Sequence, residues 1–247
     1  MAVQASAKRT GYEKWRDGVD KAVGDPKWNE WDCEIQMAVN EYNRHLSGTA
    51  GYVQLDWQFI KAILWVESGA ANADWKNRPM RIGVPGDPGL SSLLSGNEGG
   101  NLILPAAWKG KLTVSSARAI PTHNIRAGIG YLLMKMGQYE YRSVPDADSK
   151  IYEVVVKAGD SLEKIAKAQG STVDTMKALN PTASILRPGQ VLKYRMASVR
   201  RVITGWRKIS TALMAARYNG GGDNNYEMKL NHALNLLSKG TTRICTK

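Results

Sequence analysis

The chain has 247 residues, 34 of them Lys or Arg against 22 Asp or Glu, for a formal net charge of +12. Its 43% hydrophobic and 23% charged residues are those of a folded globular protein and exclude a disordered chain. Uncharged apolar runs such as AILWV (62–66) fall far short of the ~18 residues of a membrane helix, and two cysteines exclude both a disulfide scaffold and a four-cysteine zinc site.

Three scattered histidines, His45, His123 and His232, offer no metal centre, so neither a metal nor a cofactor is expected. The basic residues are dispersed, with no run of five. That argues against a nucleic-acid partner and leaves general attraction to polyanions, or solubility.

Residues 1–30 are polar, with a turn at Asp25-Pro26, and read as a loose or partly helical N-terminal arm. From Asp32, a residue suited to an N-cap, Ile35, Ala38, Val39 and Tyr42 recur at helical spacing as far as Ser47-Gly48. A second run, LDWQFIKAILWVES, carries Leu55, Phe59, Ile63 and Val66 on one stripe, and Trp57, Ile60, Leu64 and Trp65 on its other sides. Such a helix is central and buried, and it delivers Glu67 at its end. Residues 69–122 are rich in Gly, Pro, Asn and Ser and read as irregular, a loop length that is usually functional. NIRAGIGYLLMKMGQY resumes helical spacing with Asn124 as cap, and 143–150 reads as a polar linker.

A strand at IYEVVV, two short helices stopped by Gly170 and Asn180-Pro181, and a strand within LRPGQVLKY follow. VRRVITGWRKISTALMAARYN reads as helix as far as Gly220, and EMKLNHALNLLSKG as a last amphipathic helix through Met228, Leu230, Leu234 and Leu237. The expected fold is mainly α. A helical domain over 31–148 and 198–247 is interrupted by a small α+β (βααβ) module over 150–197, because the C-terminal piece is too short to build a core alone.

The module resembles a LysM domain. The resemblance rests on Tyr152, Val154, Val156, Gly159-Asp160-Ser161-Leu162, Ile165-Ala166, Leu179-Asn180-Pro181, Leu186, Pro188-Gly189-Gln190 and Leu192. It implies a shallow groove binding N-acetylglucosamine-containing glycan between the loop at Gly159, Asp160 and Ser161 and the loop carrying Pro181, Ile185 and Leu186. The module itself carries a charge of +3.

The helical part resembles soluble lytic transglycosylases and goose-type lysozymes. Four stretches carry the likeness in family order: Glu67-Ser68, the segment Arg78-Pro79-Met80-Arg81-Ile82, Asn124 to Gly128 with Tyr131-Leu132, and Ala216-Arg217-Tyr218-Asn219-Gly220-Gly221. A lysozyme-like fold is implied, with Glu67 as catalytic acid and Ser68, Met80, Arg81, Tyr218 and Asn219 as substrate-binding residues. Arg81 departs from the Gln of the family pattern.

The chemistry is arguable from the residues as well. Cleaving a glycosidic bond needs an acid to protonate the leaving oxygen, and a Glu at ~4.3 must be raised by desolvation to serve at neutral pH. The apolar helix around Trp65 and Val66 supplies that setting. A glutamate at a helix C-terminus opposes the dipole, which fits function better than structure. Asp74, Asp87 and Glu98 are the candidates for a second carboxylate holding water; without one, the MurNAc 6-hydroxyl or its acetamide takes part.

The expected function is cleavage of the MurNAc-GlcNAc β-1,4 bond of peptidoglycan by a muramidase or lytic transglycosylase, targeted to the cell wall by LysM and acting as a monomer. A catalytically degenerate wall-binding protein is the alternative of a different class. The N-terminus lacks the apolar stretch of a secretory signal. The chain is therefore expected to be made in the cytoplasm and to act in the periplasm or wall of a target cell. It would be an antibacterial type VI secretion effector, met by an immunity protein, or a phage endolysin. Cys33 and Cys245, near the first core helix and the C-terminus, are candidates for a disulfide, set against two unrelated thiols.

Overall fold

A computed structural model describes residues 9–240 and residue 245. The chain divides into two compact units: the residues up to Gln138 together with those from Thr204 on, and Tyr139–Ile203.

The first unit begins with α1 (Gly11–Val19), fixed by a capping box in which Thr10 Oγ1 accepts from the Glu13 N–H and the Glu13 carboxylate accepts from the Thr10 N–H. The stretch expected to be a loose arm is packed among the described residues, with Val19, Ala22 and Trp28 buried. Residues 1–8 lie outside the description. In α2 (Asp32–Leu46), Ile35, Ala38, Val39 and Tyr42 are buried at the expected spacing. Asp32 is not the cap, a position held by Trp31. It lies in the first turn, and its carboxylate meets the Lys61 ammonium at 2.7 Å, while Lys61 also donates to Asn29 Oδ1 at 2.6 Å. This pairing lets α3 (Trp57–Glu67), capped by Asp56 on the Gln58 N–H, be buried from Ile60 to Trp65 with a lysine in its middle.

Residues 69–122 are not irregular as expected. They hold α4 (Asp74–Asn77), α5 (Gly89–Ser95), α6 (Gly100–Ile103) and α7 (Val114–Ala119), which pack on α8 (Pro121–Met136). Helices of four to seven residues complete too few turns to print a periodicity. Asn124 is not a cap either, since α8 starts at Pro121. Its fully buried amide donates to Ile82 O and Ala117 O, and its carbonyl accepts from the Met80 N–H at 2.9 Å.

From α8 the chain enters β1 (Gly137–Pro145). The second unit continues through β2 (Tyr152–Val155), α9 (Leu162–Ala168), α10 (Val173–Leu179) and β3 (Val191–Tyr194). β2 and β3 are antiparallel with Tyr152 opposite Tyr194 and Val154 opposite Leu192, and they cover a small core of Val156, Ile165, Ala166, Met176, Ala183 and Leu192. β4 (Ala197–Trp206) then returns beside β1. This two-stranded ribbon takes up 143–145 of the linker expected at 143–150, whose residues 146–150 are irregular, and replaces the helix expected from residue 199 as far as Trp206. Val199, Val202, Ile203 and Thr204 are β-branched residues that suit a strand, and their partner strand lies far off in sequence, beyond any local pattern.

The first unit closes with α11 (Thr211–Arg217) and α12 (Tyr226–Lys239), the latter lying along α3. Its buried face is Tyr226, Leu230 and Ala233, so Met228, expected on that face, stands 49% exposed. Cys33 and Cys245 are disulfide-bonded, with Cα atoms 5.4 Å apart.

Candidate active site

Glu67 ends α3 and is half-buried. Burial pushes its carboxyl up to about 7; a hydrogen bond from Tyr226 and the charge of Arg81 pull the other way, and the charges of Asp223 and Asp87 add to the rise. The Tyr226 hydroxyl donates to Glu67 Oε1 at 2.9 Å. A carboxyl poised this way holds its proton for part of the time at neutral pH and is able to release it to a bound oxygen.

The loop after α3 is anchored beside the carboxylate. Ser68 Oγ donates to Pro79 O at 2.8 Å. Met80 is 1% exposed and lies on α8 at Gly128, where a Cβ would come within 2.6 Å of the Met80 Cβ. Met80 therefore holds the loop to the core and presents no side chain to a ligand, contrary to its expected substrate-binding place. Arg81 adopts φ +49°, and among the described residues it is the one non-glycine in the left-handed region. Such strain persists where the surroundings over-determine the geometry. Its guanidinium reaches Asp74 at 3.3 Å and Glu67 O at 3.5 Å.

The three candidates for a second carboxylate are all engaged. Asp74 is paired with Arg78 at 2.7 Å as well as with Arg81. Asp87 accepts from the Gly83 N–H and the Gly89 N–H, each at 2.8 Å, and so staples its own loop. Glu98 pairs with Lys135 at 2.6 Å.

Tyr218 is half-buried with its ring 5.6 Å from that of Tyr131, and burial together with the Glu67 charge pushes its phenol well above its ordinary value. The Asn219 oxygen is taken: with the amide turned to satisfy its neighbours, it accepts from the N–H groups of Gly222 at 3.1 Å and Asp223 at 2.8 Å. Tyr226 and Asp223 were not singled out from sequence. The only available signal was the helical spacing of Tyr226 with Leu230 and Ala233, which marks a buried face and not a carboxyl partner. Asp223 pairs with Lys229 at 2.6 Å and accepts from the Asn225 N–H. Burial acts to raise its carboxyl, but these bonds and the lysine charge prevail and hold it below its ordinary value.

In the second unit, Asp160 accepts from the Lys157 N–H at 2.7 Å, and Ser161 Oγ caps α9 on the Lys164 N–H. Gly159 is exposed at φ +80°, with its carbonyl taken by Lys164 Nζ at 2.8 Å. In the second loop, Pro181 and Ile185 are exposed, Ile185 by 76%, whereas Leu186 is half-buried and packs against the small core.

Residues 154–194 match the family model of the LysM domain. This segment is a LysM domain. LysM domains bind peptidoglycan and other N-acetylglucosamine-containing glycans, which suggests peptidoglycan binding by this segment. No curated protein and no solved structure matches the chain.

Proposed function

We propose that the protein cleaves the MurNAc-GlcNAc β-1,4 bond of peptidoglycan with Glu67 as general acid, its LysM domain holding it to the glycan. The observation that carries this reading is the Glu67 carboxyl, raised to about 7 by burial and hydrogen-bonded by Tyr226, in a chain that also contains a wall-binding module. Glu67 gives its proton to the GlcNAc O4 as the bond from MurNAc C1 to that oxygen breaks.

The partner of this step is the MurNAc 6-hydroxyl. Its oxygen bonds C1, its proton returns to the Glu67 carboxylate, and a 1,6-anhydro end results with no water consumed. The state of the other carboxylates favours this over hydrolysis: Asp74 is neutralised by two arginines, and both oxygens of Asp87 accept backbone N–H bonds. An inverting hydrolase needs a carboxylate available as base for water. The Cys33–Cys245 bond suits action outside the reducing cytoplasm, at the wall of a target bacterium.

The test is mass spectrometry of muropeptides from purified sacculi treated with wild type and with Glu67→Gln. Anhydro products from wild type alone support the reading. Water-terminated products would overturn the transferase route, and equal inactivity of the two proteins with retained binding would overturn the enzyme.

A further inference from the structure

The first unit has a concave feature that shares no residue with the surroundings of Glu67. It is a pocket of about 490 Å³ walled by Val53, Phe59, Leu133, Met136, Trp206 and Ile209. The polar atoms that a sugar would need from its aromatic residues are already engaged. Trp206 Nε1 donates to Thr49 Oγ1 at 3.0 Å, and the Tyr52 hydroxyl donates to Asn43 Oδ1 at 2.7 Å. The two rings meet edge to face, 4.9 Å between centroids. What the interior offers is carbon, and a pocket of this size and lining takes an apolar body oriented by a few polar groups.

Those groups are cationic. Arg207 and Lys208 belong to the pocket lining. Arg207 is held in place by donating to Gly137 O at 2.7 Å, and Lys208 is exposed and makes no ion pair among the described residues. The one acid of the lining, Asp56, is turned onto the Gln58 N–H at 2.9 Å as the cap of α3. Val53, a valine with 78% exposure, leaves an apolar lip open to solvent.

We propose that this pocket binds a single-chain anionic amphiphile, its acyl chain against Val53, Phe59, Trp206 and Ile209 over the buried Leu133 and Met136, and its carboxylate or phosphate against Arg207 and Lys208. The assignment is independent of the Glu67 chemistry. An acyl chain removes apolar wall from water, and the head group meets the uncompensated cations.

The experiment titrates the full chain with a dansyl-labelled fatty acid and displaces it with dodecanoate, dodecyl phosphate or uncharged dodecanol. Saturable binding is expected, with one or both anions displacing the probe about fivefold or more better than dodecanol. The better anion distinguishes a fatty acid from a lipid phosphate as the source. Lys208→Glu should weaken the anions about fivefold and leave dodecanol unchanged. Ile209→Trp should fill the pocket and abolish binding of all three, with circular dichroism melting reporting the fold. Should that variant not fold, Val53→Trp at the exposed lip serves the same purpose. Absence of saturable binding, dodecanol as effective as both anions, or binding undiminished in a folded pocket-filling variant each overturns the proposal.

Discussion

The Tyr226 hydroxyl lies 2.9 Å from Glu67 Oε1, joining the first turn of α12 to the last residue of α3 across 159 positions of sequence. Tyr226 is 2% exposed, so the donor side of the bond is shielded from solvent, where a hydrogen bond to a charged group counts for more than in water. It stabilises the ionised carboxyl and so opposes burial, which prevails.

The acid must carry its proton to act, so turnover on soluble glycan fragments should fall as pH rises through about 7. Tyr226→Phe removes the bond that favours the charged form. Its falling limb should therefore move to higher pH than that of wild type, read from paired pH–rate profiles. A limb that moves down, or does not move, would remove Tyr226 from the tuning of Glu67.

Glu67→Gln should lower cleavage by ~10²-fold or more, the usual cost of losing a general acid. It should also stabilise the protein at alkaline pH. The folded carboxyl keeps its proton up to about 7, whereas the ordinary value is 4.5. The folded state thus binds more protons between these values, and wild-type stability falls as pH rises across that window. Gln escapes the penalty, worth ~1–3 kcal/mol once solvent access to a half-buried group is allowed for. Melting temperatures should differ by about 2–4 °C per kcal/mol at pH 8 and converge below pH 4.5. Divergence at low pH instead would contradict the raised value.

Lys61 and Asp32 form an ion pair with both side chains nearly excluded from solvent. Burial pulls the Lys61 ammonium below its ordinary value, and Asp32 holds it charged. Lys61→Met takes the lysine charge from the buried Asp32 carboxylate and should cost ~3–5 kcal/mol in urea unfolding, while the double variant Lys61→Met, Asp32→Leu should recover most of it. A single-variant loss below about 1 kcal/mol would mean the pair is solvated, as surface pairs are.

The disulfide should leave no titratable thiol in the denatured, unreduced monomer. Its reduction should cost up to roughly 5 kcal/mol, the loop-entropy ceiling for so long a closure. Two free thiols, or a melting temperature indifferent to reductant, would speak against the bond.

The Asp146 N–H donates to Met196 O at 2.9 Å, so the chain enters and leaves the LysM segment at adjacent backbone positions. Replacing 147–195 by a short Gly/Ser bridge should therefore preserve the first unit, weaken sedimentation with sacculi, and leave turnover on soluble fragments within about threefold. Equal collapse of both readouts would make the module part of the catalytic fold.

Local pattern determined much of this protein before any tertiary contact. The apolar positions of α2 and α3, the placing of Glu67 at the end of a buried helix, and the LysM segment through its turn and strand residues are all legible because each is written within one element. What only the tertiary structure decided depends on distant partners. Asp32 became an ion-pair partner because α3 brings Lys61 to it, Asn124 became a core staple because the Met80 loop folds onto α8, and 197–206 became a strand because β1 stands beside it. The surroundings of Glu67 divide the same way: the carboxylate is visible in sequence, but Tyr226 bonds it only because α12 packs along α3, and burial together with the nearby charge of Asp223 raises it.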